Sequence, residues 1–373
     1  MIAPRRLARL LILLPSTRFG GTERHTAELA ARLTARTGIA VDLAAEPALH
    51  SGLGERPGVT LRAAALGWEG APAGQQAAET ARLLAELRPD AAFVPLPWPD
   101  AASGILPALA AAGLPRLVLL HLAPEAPAPE APPALGLERA MIAAVSAPLT
   151  RRAERAWGLE PGTVALLPNP APPPPVMERQ AARARLRDAL GLPPDAKLLL
   201  FVGRLEEAKG ADLLPDISDR LPATLACAGD GPLRGLLESR AMGDPRGLLR
   251  MLGPVADPAP WYLAADALLL PSRLEGAPLV FLEAAAHRCP VVATPDALEA
   301  LGEAAPAMAC LATSPDGRGM AEAAGAVLDD PRRFDGMLAR AAALAARQDW
   351  AKTVETALGL LRAAVLRAEE SAG

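Results

Sequence analysis

Short, wholly apolar runs alternate along the chain with longer stretches of helical periodicity. Runs of this kind stand at residues 117–120, 198–202 and 267–270. A strand buried on both faces has such a continuous apolar sequence, and strands alternating with helices are typical of parallel sheets. The pattern therefore predicts an α/β fold built from doubly wound parallel sheets.

The same criteria predict individual elements in each half. In the first half we expect strands at 7–14, 41–44, 59–62, 91–94, 117–120, 141–145 and 164–167, and helices at 23–36, 75–87, 101–112 and 147–157. In the second half we expect strands at 198–202, 224–228, 248–252, 267–270 and 290–293, and helices at 179–190, 261–265, 279–287, 321–327, 334–348 and 350–367. We expect the helix at 179–190 to be basic and surface-like, and the strand at 290–293 to close the second sheet. The apolar run within residues 5–14 is too short for a secretory signal, and no small-residue cleavage site follows it. We therefore expect a first strand here.

A proline-rich segment divides the chain. Pro168, Asn169 and Pro170 precede four consecutive prolines at 172–175. At 373 residues the chain is long enough for two domains with their own cores. We predict domains at 1–170 and 171–349, with the terminal helix in 350–373 crossing back onto the first. The Ala, Pro and Glu stretch at 124–133 predicts a mobile loop.

Composition excludes several classes of protein. The net charge of −4 argues against a nucleic-acid binder, which would carry a basic stripe. Three widely separated cysteines fit a reduced cytosolic protein and neither a disulfide framework nor a zinc site. No apolar run approaches the roughly 18 residues of a membrane span. Arg5, Arg6, Arg9, Arg32 and Arg36 leave a peripheral membrane contact open.

The stretch from Ser272 to Glu283 carries the most chemistry. It joins a buried strand to a helix through a loop with Gly and Pro, and the first N–H groups of a helix can bind an anion. Glu275 and Glu283 bracket this point and can accept from hydroxyl groups. A nucleotide sugar combines these features. The alternative is that a helix start favours Glu through the macrodipole alone.

Other loops supply further candidates. Gly20 and Gly21 lie between a strand and a helix, where backbone can approach a ligand. Gly203, Arg204, Lys209 and Gly210 form a loop suited to phosphate but are not a Walker A motif.

Two further features of the sequence lie at strand ends. The glycines at 229, 231 and 235 predict a strand-to-helix turn rather than a dinucleotide site. His121 ends an apolar strand, at the edge where such sheets bind ligands. His25, His50 and His287 show no partner pattern and are interpreted as structural or exposed.

Taken in order, these signals resemble the retaining glycosyltransferases of family 4, which belong to the group 1 glycosyltransferases of the GT-B fold. The resemblance covers the whole length. It rests most on the Gly-Arg-Leu…Lys-Gly loop at 203–210 and the Glu-x7-Glu element from Glu275 to Glu283, with weaker matches at 20–23, 121, 145–146, 168–169, 228–232 and 290–292. It implies two Rossmann-like domains facing across a cleft.

The resemblance also implies roles for residues. Arg204 and Lys209 would hold the diphosphate, Glu275 would face the transferred sugar, and His121 would contact that sugar. Glu283 would accept from the ribose hydroxyls. The remaining substrate-binding positions implied are Gly20, Gly21, Gly203, Gly253, Val255, Gly276, Ala277, Leu279 and Val280.

The implied activity is transfer of a sugar with retained configuration from a nucleotide-diphosphate sugar to a glycan or lipid-linked acceptor in cell-envelope or exopolysaccharide synthesis. The chain has no Asp-x-Asp motif, so we expect neither metal nor cofactor, with Arg204 and Lys209 in the metal's place. We expect a cytoplasmic protein, including the inner face of the membrane. Donor base, sugar, acceptor, linkage and oligomeric state stay open.

The sequence departs from the family pattern at three places. Pro170 and Arg288 each replace a usual Gly, and residues 295–301 lack the usual Gly-Gly and Glu. Two alternatives therefore stay open: a nucleotide-sugar 2-epimerase and a non-catalytic partner protein with this fold. A glycoside hydrolase is disfavoured because it needs two opposed carboxylates and not a diphosphate cradle.

Overall fold

A computed structural model describes residues 7–123 and 140–370. The chain divides into two compact units: unit 1 is Met1–Asn169 with Trp350–Gly373, and unit 2 is Pro170–Asp349. The predicted boundary after residue 170 differs from this division by one residue. The loop predicted at 124–133, together with Arg5 and Arg6, lies outside the described residues.

Unit 1 is built on a seven-stranded sheet in which every pairing is parallel. Its strands are β1 (Arg9–Leu13), β2 (Ala40–Ala45), β3 (Val59–Ala63), β4 (Ala91–Leu96), β5 (Arg116–Leu120), β6 (Ala140–Ala144) and β7 (Ala165–Leu166). Their order is β3-β2-β1-β4-β5-β6-β7. Strand order reverses at β1, so the sheet is doubly wound, as predicted.

The helices of unit 1 connect and cover these strands. They are α1 (Gly21–Thr37), α2 (His50–Leu53), α3 (Ala73–Leu87), α4 (Ile105–Ala111) and α5 (Ala147–Ala156). The helix predicted at 101–112 begins four residues later than expected. The buried Gln76 amide explains the delay, because it donates to Ala101 O (2.9 Å) and accepts from Gly104 N (3.0 Å), which holds these residues in a turn.

Unit 2 repeats the architecture with six parallel strands. They are β8 (Leu198–Val202), β9 (Thr224–Ala228), β10 (Leu249–Gly253), β11 (Ala267–Leu270), β12 (Val291–Ala293) and β13 (Cys310–Leu311), in the order β10-β9-β8-β11-β12-β13. Its helices are α6 (Arg179–Ala189), α7 (Leu214–Arg220), α8 (Arg234–Gly243), α9 (Ala259–Ala264), α10 (Leu279–Ala286), α11 (Gly317–Asp329) and α12 (Asp335–Arg347).

Two expectations for unit 2 are wrong. Strand β12 does not close the sheet, because the two-residue strand β13 pairs with its outer edge. A strand this short has too little periodicity to detect. Helix α6 is not a surface helix throughout: Arg187 is 1% exposed and donates to Asp266 Oδ2 (3.0 Å) and Ala264 O (3.0 Å). A buried guanidinium needs such partners, which the sequence of α6 does not reveal.

The terminal helix α13 (Trp350–Glu370) belongs to unit 1. Its buried positions recur every three or four residues, at Val354, Ala357, Leu358, Leu361, Ala364, Val365 and Ala368. This spacing places them on one face, which packs against β4, β5 and β6. Within the described residues, 7–123 and 140–370, no helix has the length and apolar content needed to cross a bilayer.

Candidate functional site

The loops that follow β8, β9 and β10 in unit 2 are joined by backbone contacts. Leu205 N donates to Asp230 O (2.9 Å), and Gly229 N donates to Gly253 O (2.8 Å). A Cβ on Gly229 would lie 1.8 Å from Gly203 O, so glycine is required for this close approach. The predicted strand-to-helix turn at 229–231 therefore serves to support the loop that carries Gly203 and Arg204.

A second close approach fixes the position of Lys209. Gly210 has φ +68°, in the left-handed region, and a Cβ there would lie 2.1 Å from the carbonyl oxygen of Pro271. Only glycine meets both requirements. The turn Glu207–Lys209 is thereby seated on the loop that follows β11. Arg273 N also donates to Ala208 O (2.9 Å) across the same contact.

An ion pair strengthens this contact. The Arg273 guanidinium donates to both carboxylate oxygens of Asp212, at 2.7 Å each, and to Glu207 O. The hydrogen bond from Arg273 lowers the pKa of Asp212, and the same bond raises the pKa of Arg273. A bidentate pair of this kind has defined geometry, so it holds the two loops in register.

Two of the predicted catalytic residues are in direct contact. Lys209 Nζ donates to Glu275 Oε1 at 2.7 Å, and Ser272 Oγ donates to the same oxygen at 2.8 Å. Ser272 is buried, and its carbonyl oxygen accepts from Thr294 Oγ1 (2.6 Å). Glu275 is thus held from two sides, and it orients the Lys209 ammonium at the end of β11.

Arg204 points into a different pair. Its guanidinium lies 2.7 Å from Glu206 Oε1, and its side chain remains 42% exposed. An exposed pair of this kind contributes little to stability, so Arg204 can exchange Glu206 for another anion at low cost.

Glu283 lies one turn into α10 and has a buried partner. Tyr262, the chain's single tyrosine, is 0% exposed and donates its hydroxyl to Glu283 Oε2 at 2.7 Å. His287 lies beside Tyr262, with ring centroids 5.7 Å apart, and its Nδ1 is 2.7 Å from Glu283 O. Tyr262 orients one carboxylate oxygen of Glu283, and the side chain keeps some exposure. His287 is buried, which agrees with its interpretation as structural.

The start of α10 completes this edge. Leu279 and Val280 occupy its first turn after the N-cap residue Pro278, which makes no side-chain cap. First-turn N–H groups lack intrahelical acceptors, and the macrodipole adds positive potential there. Gly276 is buried, and Ala277 is half-buried just before the helix.

The two remaining predicted positions of unit 2 end β10. Gly253 has φ +68°, and Val255 follows it half-buried. All the predicted residues of unit 2 therefore lie at the carboxyl edge of one sheet. Among these predicted residues, Lys209 and Glu275 are joined by a side-chain hydrogen bond that the sequence did not show.

Unit 1 holds the other predicted residues. Gly20 is the N-cap of α1, with extended φ of −164°, and Gly21 begins the helix. His121 follows β5, and its N donates to Leu96 O (2.9 Å). Its ring meets His25 edge-on at 5.3 Å between centroids.

Burial changes the acidity of this histidine pair. His25 is 2% exposed and stacks on Trp350 at 5.5 Å between centroids. Burial lowers the pKa of His25 from 6.5 to about 4. The pKa of His121 is lowered well below 6.5, first by burial and second by the nearby His25. Both rings are therefore neutral at pH 7. The burial of His25 agrees with its interpretation as structural, and the sequence showed no partner pattern because its contacts join residues distant in sequence.

Sequence reasoning missed three residues around these sites: Tyr262, Ser272 and Trp350. The role missed for Ser272 is its hydrogen bond to Glu275. A single tyrosine in an apolar helix was a usable signal, since a buried hydroxyl must find a partner. Among the described residues, no group of three or more His, Cys, Asp or Glu side chains is arranged to hold a metal ion.

Comparison with known proteins finds a family model that matches part of unit 2. Residues 196–330 match the family model "Glycosyl transferases group 1". A D-inositol 3-phosphate glycosyltransferase of Kineococcus radiotolerans is 34% identical over 242 residues, 56% of this chain and 54% of that protein. One of Thermobispora bispora is 32% identical over 194 residues, 47% of this chain and 45% of that protein. The chain spans about half the length of these curated relatives.

Solved structures share the fold over nearly the whole chain. Anabaena HepE, crystallised with UDP, has a TM-score of 0.73 at 19% identity and covers 95% of this chain and 100% of its own. WaaG, a glycosyltransferase of lipopolysaccharide biosynthesis, has a TM-score of 0.70 at 18% identity, with 95% and 99% covered. The two parallel sheets and these similar structures show that the chain has the GT-B fold, and its residues 196–330 match the group 1 glycosyltransferase family model.

Proposed function

We propose that this protein transfers a sugar from a nucleoside-diphosphate sugar to a glycan or lipid-linked acceptor on the cytoplasmic side of the cell envelope, with retention of configuration and without a metal. The observation that carries the proposal is the oriented Lys209 ammonium beside the start of α10, held by Glu275 at 2.7 Å. A cation and free helix N–H groups at one sheet edge form a diphosphate site.

The remaining predicted residues of unit 2 contact other parts of the nucleotide sugar in this proposal. Arg204, whose guanidinium is 42% exposed and pairs with Glu206, is available to the second phosphate. Glu283, oriented by Tyr262, offers carboxylate oxygens to the ribose hydroxyls. Gly253 and Val255 present backbone at the end of β10, where a flat base can rest.

The chemistry needs charge stabilisation above all. As the sugar–phosphate bond breaks, negative charge grows on the leaving diphosphate, and pre-oriented cations lower the barrier. Lys209 and Arg204 supply two such cations. Departure of the diphosphate leaves an oxocarbenium-like sugar, and the acceptor hydroxyl attacks from the same face and transfers its proton to the leaving phosphate oxygen. On this route no protein nucleophile is required.

The relatives guide the choice of donor and acceptor. HepE was crystallised with UDP and with UDP-glucose, so a uridine donor is the first to test. The curated relatives are named for an inositol phosphate acceptor, which is therefore the first acceptor to test. The relatives are named as transferases and do not favour the 2-epimerase alternative.

Calorimetric titration with UDP, GDP and ADP, without metal and then with magnesium, tests the proposal. We expect one diphosphate to bind independently of magnesium, and Glu283→Gln to weaken its binding about tenfold through loss of charged hydrogen bonds. Glu238→Gln is the control, because Glu238 is exposed and, within the described part of the chain, pairs with the exposed Arg234. Failure of all three diphosphates to bind would refute the proposal. Conversion of a free nucleotide sugar without acceptor would establish the epimerase instead.

A further inference from the structure

Three loops of unit 1 form one surface at the carboxyl ends of β1, β2 and β3. Thr17 Oγ1 donates to Glu69 Oε2 (2.8 Å), joining the loop after β1 to the loop after β3. Gly67 N donates to Glu46 Oε1 (2.8 Å), joining the loops after β3 and β2. A Cβ on Gly67 would lie 2.5 Å from Thr17 Cγ2, so the three loops are in close contact.

This surface exposes two aromatic rings. The chain has five Phe, five Trp and one Tyr, all within the described ranges, and only Phe19 (39%) and Trp68 (37%) are exposed. Phe19 lies two residues after Thr17, and Trp68 immediately precedes Glu69, so the Thr17–Glu69 hydrogen bond brings together the two loop segments that carry the aromatics. A chain this poor in aromatics gains nothing in stability by leaving both rings in water.

The ring of Phe19 packs against α2 at Gly52. A Cβ on Gly52, in α2, would lie 2.6 Å from Phe19 Cδ2 and 2.8 Å from Cγ. The absent side chain lets the ring lie against the helix. Trp68 N meets Pro15 O at 3.5 Å, which keeps its residue close to the end of β1.

Charged residues adjoin both aromatics in sequence: Arg18 precedes Phe19 and Glu69 follows Trp68. Arg18 lies 3.2 Å from Glu69, and both keep exposed side chains, at 54% and 37%. Their opposite charges compensate each other. The pair therefore offers hydrogen-bond donors and acceptors without a net positive charge that would favour anionic ligands. A pyranose ring has an apolar face of C–H groups and an edge of hydroxyls, which match aromatic faces and these polar groups respectively.

A lipid surface would need different features. A membrane-binding face combines a contiguous apolar patch with unpaired basic residues. Of the basic residues named above, the three within the described part of unit 1 are paired instead: Arg9 with Asp42 (2.8 Å), Arg32 with Glu28 (2.7 Å) and Arg36 with Glu355 (2.9 Å).

We infer that Phe19 and Trp68 form a stacking platform for a neutral sugar ring. Phe19 directly precedes Gly20, the N-cap of α1, so the platform adjoins the turn that the family resemblance assigns to the donor sugar. That the bound sugar is part of the acceptor rests on the proposed function. Binding of the sugar itself does not.

Saturation-transfer NMR with a panel of neutral methyl hexosides at millimolar concentration tests the inference directly. We expect transfer to ring C–H protons of at least one glycoside, and about tenfold weaker binding in Phe19→Ala and in Trp68→Ala. Leu166→Ala is the matched control, since Leu166 is 46% exposed on β7 at the far edge of the same sheet. Gly52→Ala is a second variant, because it displaces the Phe19 ring without removing it.

Each other outcome overturns the inference. Wild-type protein that binds no glycoside, or variants that bind as wild type does, would exclude the platform. Co-sedimentation with phosphatidylglycerol vesicles that is lost in Trp68→Ala would assign the surface to lipid. UDP titration of the same variants separates the two proposals: we expect it to be unchanged, whereas absence of UDP binding in wild type would refute the proposed function alone.

Discussion

The Lys209 ammonium and the Glu275 carboxylate lie 2.7 Å apart although 66 residues separate them in sequence. The pair is partly buried, with side-chain exposures of 25% and 11%. An anionic ligand that reaches Lys209 therefore meets a cation whose position is already fixed, and it must share that cation with Glu275.

This sharing predicts opposite effects of two substitutions. Glu275→Gln removes the competing charge, so we expect UDP to bind at least as tightly as to wild type while sugar transfer falls. Lys209→Met removes the cation, and we expect binding about 10- to 100-fold weaker, the range of one charged hydrogen bond to phosphate. Calorimetry and a transfer assay measure the two effects. Weaker UDP binding in Glu275→Gln would contradict the competition.

Gly210 allows a second test at the same loop. We expect Gly210→Ala to abolish UDP binding, because its Cβ would collide with Pro271 O and displace Lys209. Gly191→Ala is the control: it has nearly the same φ, +65°, with nothing within 4 Å of its Cβ. That variant should lose only about 1 kcal/mol of stability and retain binding. Equal behaviour of the two variants in calorimetry would exclude the collision as the cause.

Tyr262 predicts a selective loss. We expect Tyr262→Phe to weaken UDP binding about three- to tenfold, because Glu283 loses the hydrogen bond that orients it. The effect should be smaller for 2′-deoxy- or 3′-deoxy-UDP, whichever lacks the hydroxyl that Glu283 accepts. Calorimetry with the three nucleotides checks this. An equal loss for all three would indicate a general structural role for the tyrosine.

Arg288 predicts a gain in stability. It has φ +52° at the position where the resemblance expects glycine, and a non-glycine residue in this region costs about 1–2 kcal/mol. We expect Arg288→Gly to raise the free energy of unfolding by about 1 kcal/mol. Arg185→Gly, at an exposed position inside α6, should lower it by about the same amount. Urea denaturation measures both, and a destabilised Arg288→Gly would contradict the strain.

His25 predicts a dependence on pH. Its folded pKa of about 4 lies below the ordinary 6.5, so the unfolded state binds more protons between these values. Its contribution is complete above pH 6.5 and is lost as the pH falls to 4, by about 3 kcal/mol in total. We expect His25→Phe to flatten the stability profile in this window. Parallel profiles of the two proteins in thermal unfolding from pH 7 to pH 4 would refute the assignment.

The sequence predicted the sheets better than the contacts between loops. Runs such as Leu198–Val202 are buried on both faces, so their composition alone indicates a strand. The strand Cys310–Leu311 is two residues long and exists through its pairing with β12, which no local pattern shows. The same holds for the candidate site: residue type and spacing made Lys209, Glu275 and Glu283 candidates. Tyr262, Ser272 and Trp350 were not, because their roles depend on partners that only the fold brings near.

The return of helix α13 to unit 1 has a consequence for synthesis on the ribosome. Unit 2 is one continuous segment, Pro170–Asp349, whereas unit 1 lacks its covering helix until Trp350–Glu370 has been translated. Until then β4, β5 and β6 leave uncovered the apolar face that Leu358 and Leu361 later bury. The unit that is made first is therefore completed last, and a nascent chain stalled before residue 350 would expose that face to chaperones.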